Sequence, residues 1–535
     1  MLFGYNRACK IEGAAPIFRG GSDLISWFGR NKPEQPVANG AALQSVIANL
    51  PADDSAEALQ QITKQLQEVR RLDEGKLDQR LRNLDLLDDA SRTHEHALLV
   101  EYLATPRHKK SHEQTLWSSA YNFWRELGEG YMACFREAEK GGAATKASVP
   151  IFVGRGLRAL RQQLRWALLR YELTEPRVWT DMARLYGSAE EKGYATEPVA
   201  VYPGSSGSGT AKQEYLKALM LAASATDSLQ PGSQDLATRL VAHFAGFFVI
   251  DDKPDPGCTH WIDLGDPKAP VRLVREPPRR ASVRYFGAGG ALHELEQLKA
   301  HIAYTRTLPE GLDLNGNYGD EVVLALLKHL EQDWAGKTQS RRYERRRAAG
   351  RVTVVPGLKE IIASLEFAYN DSLDFTHRQA AESWIVEDMS DGGYGAVIPS
   401  VAGDWVEVGS LIGVEGETFR DWRVGVIRRV ARTEQQQQRV GVQLLTQAAT
   451  LVKLRQPAGA AFGTDSLPPR NGVLLVSKLE GRNDVDIAVA KDLLDVSENV
   501  EMTLDDATYL LRAQETVERG PHYEVIRFTI LRALH

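Results

Sequence analysis

Apolar residues fall three and four apart through much of the first half of the chain. Leu59, Ile62, Leu66 and Val69 form one such stripe, and Leu77, Leu81, Leu84 and Leu87 form a second. A repeat near 3.6 residues puts each set on one face of a helix. The same spacing predicts a third helix through Leu116, Ala120, Phe123, Leu127 and Tyr131, and a fourth through Leu157, Leu160, Leu164 and Leu168. Further helices are expected at 177–190, 211–224 and 233–248. Short connections such as Ala104-Thr105-Pro106-Arg107 favour antiparallel neighbours. No fixed period recurs, so residues 51–248 are expected to form an irregular helical array. Residues 1–50 carry no clear period. They are expected to be loose, with a short helix from Leu43 to Leu50 and two aromatic clusters, Phe3/Tyr5 and Trp27/Phe28.

Near residue 249 the period shortens. Phe247–Ile250, Thr259–Asp263, Val271–Val274 and Ser282–Phe286 are brief aromatic or β-branched runs between Asp-, Pro- and Gly-rich turns. They predict a small antiparallel sheet. Helices at 290–306 and 318–334 complete a mixed α/β connector over 249–335. Six short runs follow: Val352–Val355, Trp384–Val386, Gly395–Pro399, Leu411–Val414, Trp422–Ile427 and Val440–Leu445. Glycine and proline turns between them suit a small closed antiparallel barrel over 336–455. Leu358 to Tyr369 breaks the series with a helical pattern. After a Pro/Gly-rich stretch at 456–471, strand-like runs return at Gly472–Ser477, Val500–Thr503, Tyr509–Ala513 and Tyr523–Ile530. They mark a C-terminal β module over 456–535, read as a degenerate second barrel that packs on the chain or pairs two copies in a homodimer. The expected class is multidomain α+β.

Composition narrows the function. The 535 residues carry a formal net charge of −6, which argues against a general binder of nucleic-acid polymers. Three distant cysteines, Cys9, Cys134 and Cys258, offer no disulfide framework and no Cys-x-x-Cys metal pair. That suits a reducing compartment. No apolar run approaches the ~20 residues of a membrane span, and Met1–Arg7 lacks the pattern of a signal sequence. A cytoplasmic protein is expected.

Two motifs mislead. Gly204-Ser-Ser-Gly-Ser-Gly209-Thr210-Ala211-Lys212 follows a strand-like run, but a phosphate-binding P-loop needs Lys and Ser/Thr directly after its last glycine. A Gly/Ser loop with Thr210 capping the next helix is the better reading. His94-Glu95-His96 lies in a helical stretch, where residues two apart do not share a face, so no metal site is expected.

The candidate chemistry is concentrated in two stretches. Arg346, Arg347 and Arg351 stand immediately before the β-branched run Val352–Val355. Arg341, Arg342 and Arg345 precede them in a polar linker. Asp388, Ser390, Gly392 and Gly393 close the run Trp384–Val386. Arginine grips phosphate through paired, charge-assisted hydrogen bonds and stacks on bases. Small polar residues and glycine let backbone N–H groups approach an anion.

Arg347-Ala-Ala-Gly-Arg351 followed by Asp388-Met-Ser390-Asp-Gly-Gly393 resembles the signature of the PilZ domain, a bacterial receptor for cyclic di-GMP. The runs at 422–429 and 441–445 resemble the closing strands of that family, so the likeness covers about residues 340–450. The helical pattern at 358–369 departs from it. The resemblance implies a six-stranded barrel whose ligand is cyclic di-GMP. It implies that Arg347 and Arg351, with Arg346 beside them, grip phosphate and guanine. It implies that Asp388 and Ser390 hydrogen-bond a guanine, and that Gly393 keeps the pocket floor open. No cofactor, metal or catalysis is then required. The basic linker would order on binding. The helical region is expected either to dock a protein partner or to be a bundle that merely packs on the receptor module. The alternative is a non-enzymatic scaffold whose basic linker docks an acidic partner protein. A hydrolase acting through the Gly/Ser loop ranks last, because Lys212 is misplaced.

Overall fold

A computed structural model describes residues 40–534, apart from 72–76, 107–108, 142–147, 205–207, 313, 315, 317, 337–342, 371–380, 400–404, 417–418, 434, 436, 457–467, 477–478 and 480. Phe3, Tyr5, Trp27, Phe28, Cys9, Arg341 and Arg342 therefore lie outside the described residues.

Among the described residues, eight α-helices build the first body: α1 (Gly40–Ala48), α2 (Ser55–Arg70), α3 (Leu77–Ala104), α4 (Lys110–Lys140), α5 (Val149–Leu169), α6 (Pro176–Glu191), α7 (Ala211–Ala222) and α8 (Pro231–His243). The Asp54 side chain accepts from Glu57 N at 2.8 Å and caps α2. Thr210 caps α7 in a reciprocal box with Gln213, at 3.1 and 3.2 Å. Thr210, at the end of the Gly/Ser stretch, thus starts a helix.

Helix α5 differs from its sequence pattern. Spacing at 157, 160, 164 and 168 predicts one apolar stripe, yet nearly the whole helix is buried. Its other faces carry Arg155, Arg158, Arg161 and Arg165, which pair with Asp85, Asp88, Glu214 and Asp235. These arginines look like a solvated face in sequence because their partners lie far away along the chain. Removing one member of such a buried pair strands a charge, at a cost of about 3–5 kcal/mol.

The connector is a four-stranded antiparallel sheet of β1 (Val249–Asp251), β2 (His260–Asp263), β3 (Val271–Arg272) and β4 (Val283–Gly287), in the order β1-β4-β2-β3. Helices α9 (Ala291–Thr305) and α10 (Asp320–Trp334) follow. One apolar core runs from Leu43 to Trp334, so this sheet packs with the helices. Trp334 shows the join: it meets Phe244 and Phe248 edge-on, and its indole N–H donates to Ser224 Oγ at 2.9 Å.

Strands β5 (Arg346–Pro356), β6 (Glu382–Ser390), β7 (Gly393–Ile398), β8 (Leu411–Gly416), β9 (Phe419–Arg432) and β10 (Gln438–Thr446) close a barrel in the order β10-β7-β6-β5-β8-β9. Val352, Val354, Trp384, Val386, Ile412, Val414 and Val440 fill it, as period-2 alternation directs. The C-terminal module is also a closed six-stranded barrel: β11 (Thr450–Arg455), β12 (Arg470–Leu474), β13 (Asp484–Ala490), β14 (Asn499–Leu504), β15 (Ala507–Arg519) and β16 (Tyr523–Ala533). Two of its strands, β11 and β13, are absent from the sequence reading. β11 lies within the stretch expected to belong to the first barrel, but it pairs with β12 and β14 of the second.

The helix predicted at 358–369 is α11 (Gly357–Asn370). Leu358, Ile361 and Leu365 share a core with Val355 and Leu411 of the first barrel and with Val473, Leu475, Ala488, Tyr523 and Val525 of the second. α11 is therefore the wedge that joins the barrels. Arg428 reinforces the junction with two bonds to Glu518, at 2.9 and 2.6 Å. Among the described residues, no helix is long and apolar enough to cross a membrane. None of them forms a His/Cys/Asp/Glu group suited to a metal ion either.

Candidate functional site

The start of β5 lies against the end of β6. Arg346 is opposite Met389 and Arg347 is opposite Asp388. The next pairs are Gly350 with Val386 and Arg351 with Ile385, so β5 gains one residue between Arg347 and Gly350. A one-residue bulge switches the face on which later side chains emerge. The two arginines of the Arg-x-x-x-Arg spacing are separated for this reason.

A groove of about 1640 Å³ runs along this edge. Of the residues expected at the site, Arg346, Arg347, Asp388, Ser390 and Gly393 all line it, and Arg351 does not. The Arg351 guanidinium lies instead 3.4 Å from Ser383 Oγ. Asp391-Gly392 make the tight turn between β6 and β7, closed by the Ser390–Gly393 pair. Leu444 N donates to Gly392 O at 2.9 Å, and the Gln447 side chain donates to Asp391 O at 2.6 Å. The turn is thereby fixed to β10. Gly393 has no alternative: a Cβ there would sit 2.0 Å from Val442 O. Gly395 performs a second service, since a Cβ there would press on the Asp388 carboxylate at 2.9 Å.

The electrostatics of the groove are polarised. Its barrel side presents Arg345, Arg346, Arg347, Arg428, Arg429 and Arg439. Arg345 Nη1 donates to Asp388 Oδ1 at 2.7 Å. Arg439 pairs with Glu387 at 2.9 Å. Arg346 and Arg347 are exposed. The opposite wall belongs to the helical body and its connector, with Asp227, Ser228, His329, Asp333 and Arg272. Burial raises the Asp227 and Asp333 carboxyls above their ordinary range, against the pull of nearby cations. The second barrel supplies Leu475, Val476, Arg482 and Asp486.

Sequence reasoning missed Arg345 as the partner of Asp388, because attention to arginines four apart favoured Arg347 and Arg351. It also missed every residue of the opposite wall. Asp227, Arg272, His329 and Asp333 reach the groove through tertiary packing, and no local signal marks them. Arg428 and Arg429 lie in the closing-strand run, where their spacing reads only as strand.

An anion with planar groups fits this arrangement. Exposed guanidinium forks can hold phosphate, and an acidic side chain beside a hydroxyl can accept from a base edge. Comparison with known families gives two matches. Residues 41–255 match the model described as the N-terminal domain of the cyclic-di-GMP receptor FimW. Residues 363–450 match its middle PilZ domain, a stretch that includes Asp388, Ser390 and Gly393 but begins after the arginines. A search of curated proteins finds no match. The two family matches cover successive parts of the chain, α1 to β1 and then α11 to β10, and the chain belongs to the PilZ-domain cyclic-di-GMP receptors.

Proposed function

We propose that the chain binds cyclic di-GMP in the groove at the β5 start and relays its occupancy to the helical body. Arg346 and Arg347 grip the phosphates and stack on guanine. Asp388 and Ser390 accept from and donate to a guanine edge, and Gly393 leaves the floor open. Arg351 reaches the ligand only through a change at the β5 bulge. The five segments 1–50, 51–248, 249–335, 336–455 and 456–535 then act as an N-terminal segment, a helical docking platform, a connector, a sensor barrel and a supporting barrel. The platform takes a protein partner.

One observation carries this reading. Asp388 lies in the groove beside two exposed arginines, with its carboxylate held by Arg345. A guanine edge with two N–H donors can replace that guanidinium, which frees Arg345 for a phosphate. The test is base discrimination. The wild-type chain is expected to bind cyclic di-GMP and to reject cyclic di-AMP, whose base edge lacks those two donors. Asp388→Ala is expected to narrow that gap by about tenfold or more, the worth of hydrogen bonds to a charged group. Equal binding of both dinucleotides by the wild type would overturn the assignment of Asp388. Binding of neither would return the basic linker to an acidic protein partner.

A further inference from the structure

Arg429 is a groove arginine to which the site reading gives no role. It lies on β9 and extends from the barrel to the helical body, where its Nε forms an ion pair with Asp227 Oδ2 at 3.1 Å. Both residues line the groove. The other arginines nearby are committed differently. Arg428 is held at two points by Glu518 of the second barrel. Arg345 is held within the first barrel by Asp388. Arg429 is tied across to another body of the protein through its Nε.

On the far side, Asp227 sits in the short helical turn Thr226–Ser228, between α7 and α8. It shares its surroundings with Asp333 and His329 of α10, and Arg272 of β3 points at Asp333 from 3.7 Å. Burial disfavours the charge on Asp227, and Arg429 is the main group opposing that. The Arg429 side chain is 61% exposed and that of Asp227 35% exposed, so solvent screens the pair and it is weak. A ligand bearing two phosphates is a stronger partner for a guanidinium than one partly desolvated carboxylate.

We infer that Arg429 is a further phosphate-binding residue, held by Asp227 in the free protein and transferred to the ligand on binding. This inference rests on the groove being the cyclic di-GMP site. The transfer exchanges one ion pair for another, with no proton or covalent bond moved. It leaves Asp227 without its cation and loosens one tie between barrel and helical body. The ties from Arg432 N to Tyr171 O, 3.1 Å, and from Gln230 Nε2 to Val408 O, 3.0 Å, remain as the pivot. Binding and the Asp227–Arg429 contact therefore oppose each other, and linkage makes that opposition reciprocal.

Titration calorimetry on the full chain with cyclic di-GMP tests this, with sign as the readout. Asp227→Asn is expected to tighten binding about two- to fivefold, matching the worth of an exposed ion pair. Arg429→Ala is expected to weaken it about tenfold. In the Arg429→Ala background, Asp227→Asn is expected to change nothing. Amide exchange in wild type over 225–230 is expected to speed up when ligand saturates. Unchanged or weaker binding by Asp227→Asn, or slower exchange at 225–230, would overturn the inference. If wild type bound no cyclic di-GMP, the site reading itself would fail, and that outcome is distinct from these.

Discussion

The two barrels have one topology and different chemistry. In chain order, the first strand of each pairs with the second and fourth, the third with the sixth, and the fifth with the fourth and sixth. Where the first barrel begins on Arg346 and Arg347, the second begins on Thr450, directly after Ala448-Ala449. Where the facing ends of β6 and β7 carry Asp388, Ser390 and Gly393, the described residues of the β12–β13 connection contribute Arg482 as a charged groove residue, with Asp486 on β13. The scaffold is duplicated, and the proposed site residues are not. Under the proposed assignment, function belongs to a few side chains at one strand start and one turn, and the shared fold does not transmit it. The second barrel instead supplies a wall of the groove and a surface for α11.

Four substitutions probe the difference between the barrels, and the largest effect is structural. Ile361 is fully buried in the core that α11 shares with both barrels. Ile361→Ala should destabilise the chain by about 2–5 kcal/mol. Denaturant unfolding followed by circular dichroism should show it, and an unchanged midpoint would mean the barrels are not joined through α11. Next is Gly393→Ala, which drives a methyl into the Val442 carbonyl. It should remove cyclic di-GMP binding and loosen the β6–β7 turn, seen as faster amide exchange at Leu444. Glu518→Ala should cost about 1 kcal/mol, because the Arg428 pair is only partly shielded. It should leave ligand affinity within about twofold if Arg428 serves the barrel junction rather than the ligand. The smallest effect is expected of Arg351→Ala. A residue off the groove should change affinity by less than about threefold. A loss as large as that of Arg347→Ala would show that the β5 bulge straightens on binding.

Much of this architecture is legible in sequence because local periods carry it. The stripes at 59–69 and 77–87 are buried helices, and the six runs from Val352 to Leu445 are the first barrel's strands. β11 escaped because no glycine or proline separates it from β10, so the chain shows no break between barrels. β13 escaped because Asp484-Val-Asp-Ile-Ala-Val-Ala mixes charge with small residues and reads as a loop until Arg527 of β16 pairs with Asp486. The α11 helix was visible, but its place between barrels depends on Val473 and Tyr523, more than a hundred residues away. The site divides in the same way. On its barrel side, the two short motifs at 346–351 and 388–393 could be read, while Arg345 as the partner of Asp388, and Arg428 and Arg429 on β9, could not. Its far wall of Asp227, His329 and Asp333 exists only after the helical body has folded against β9.

Of the two like-built barrels, only the first is proposed to hold the ligand. Equilibrium dialysis of cyclic di-GMP against the full chain and against its Arg346→Ala/Arg347→Ala variant decides it. A single class of sites in the wild type, absent from the variant while its circular dichroism spectrum is unchanged, is the predicted result. Saturable binding retained by the folded variant would place a site elsewhere in the chain and contradict the account.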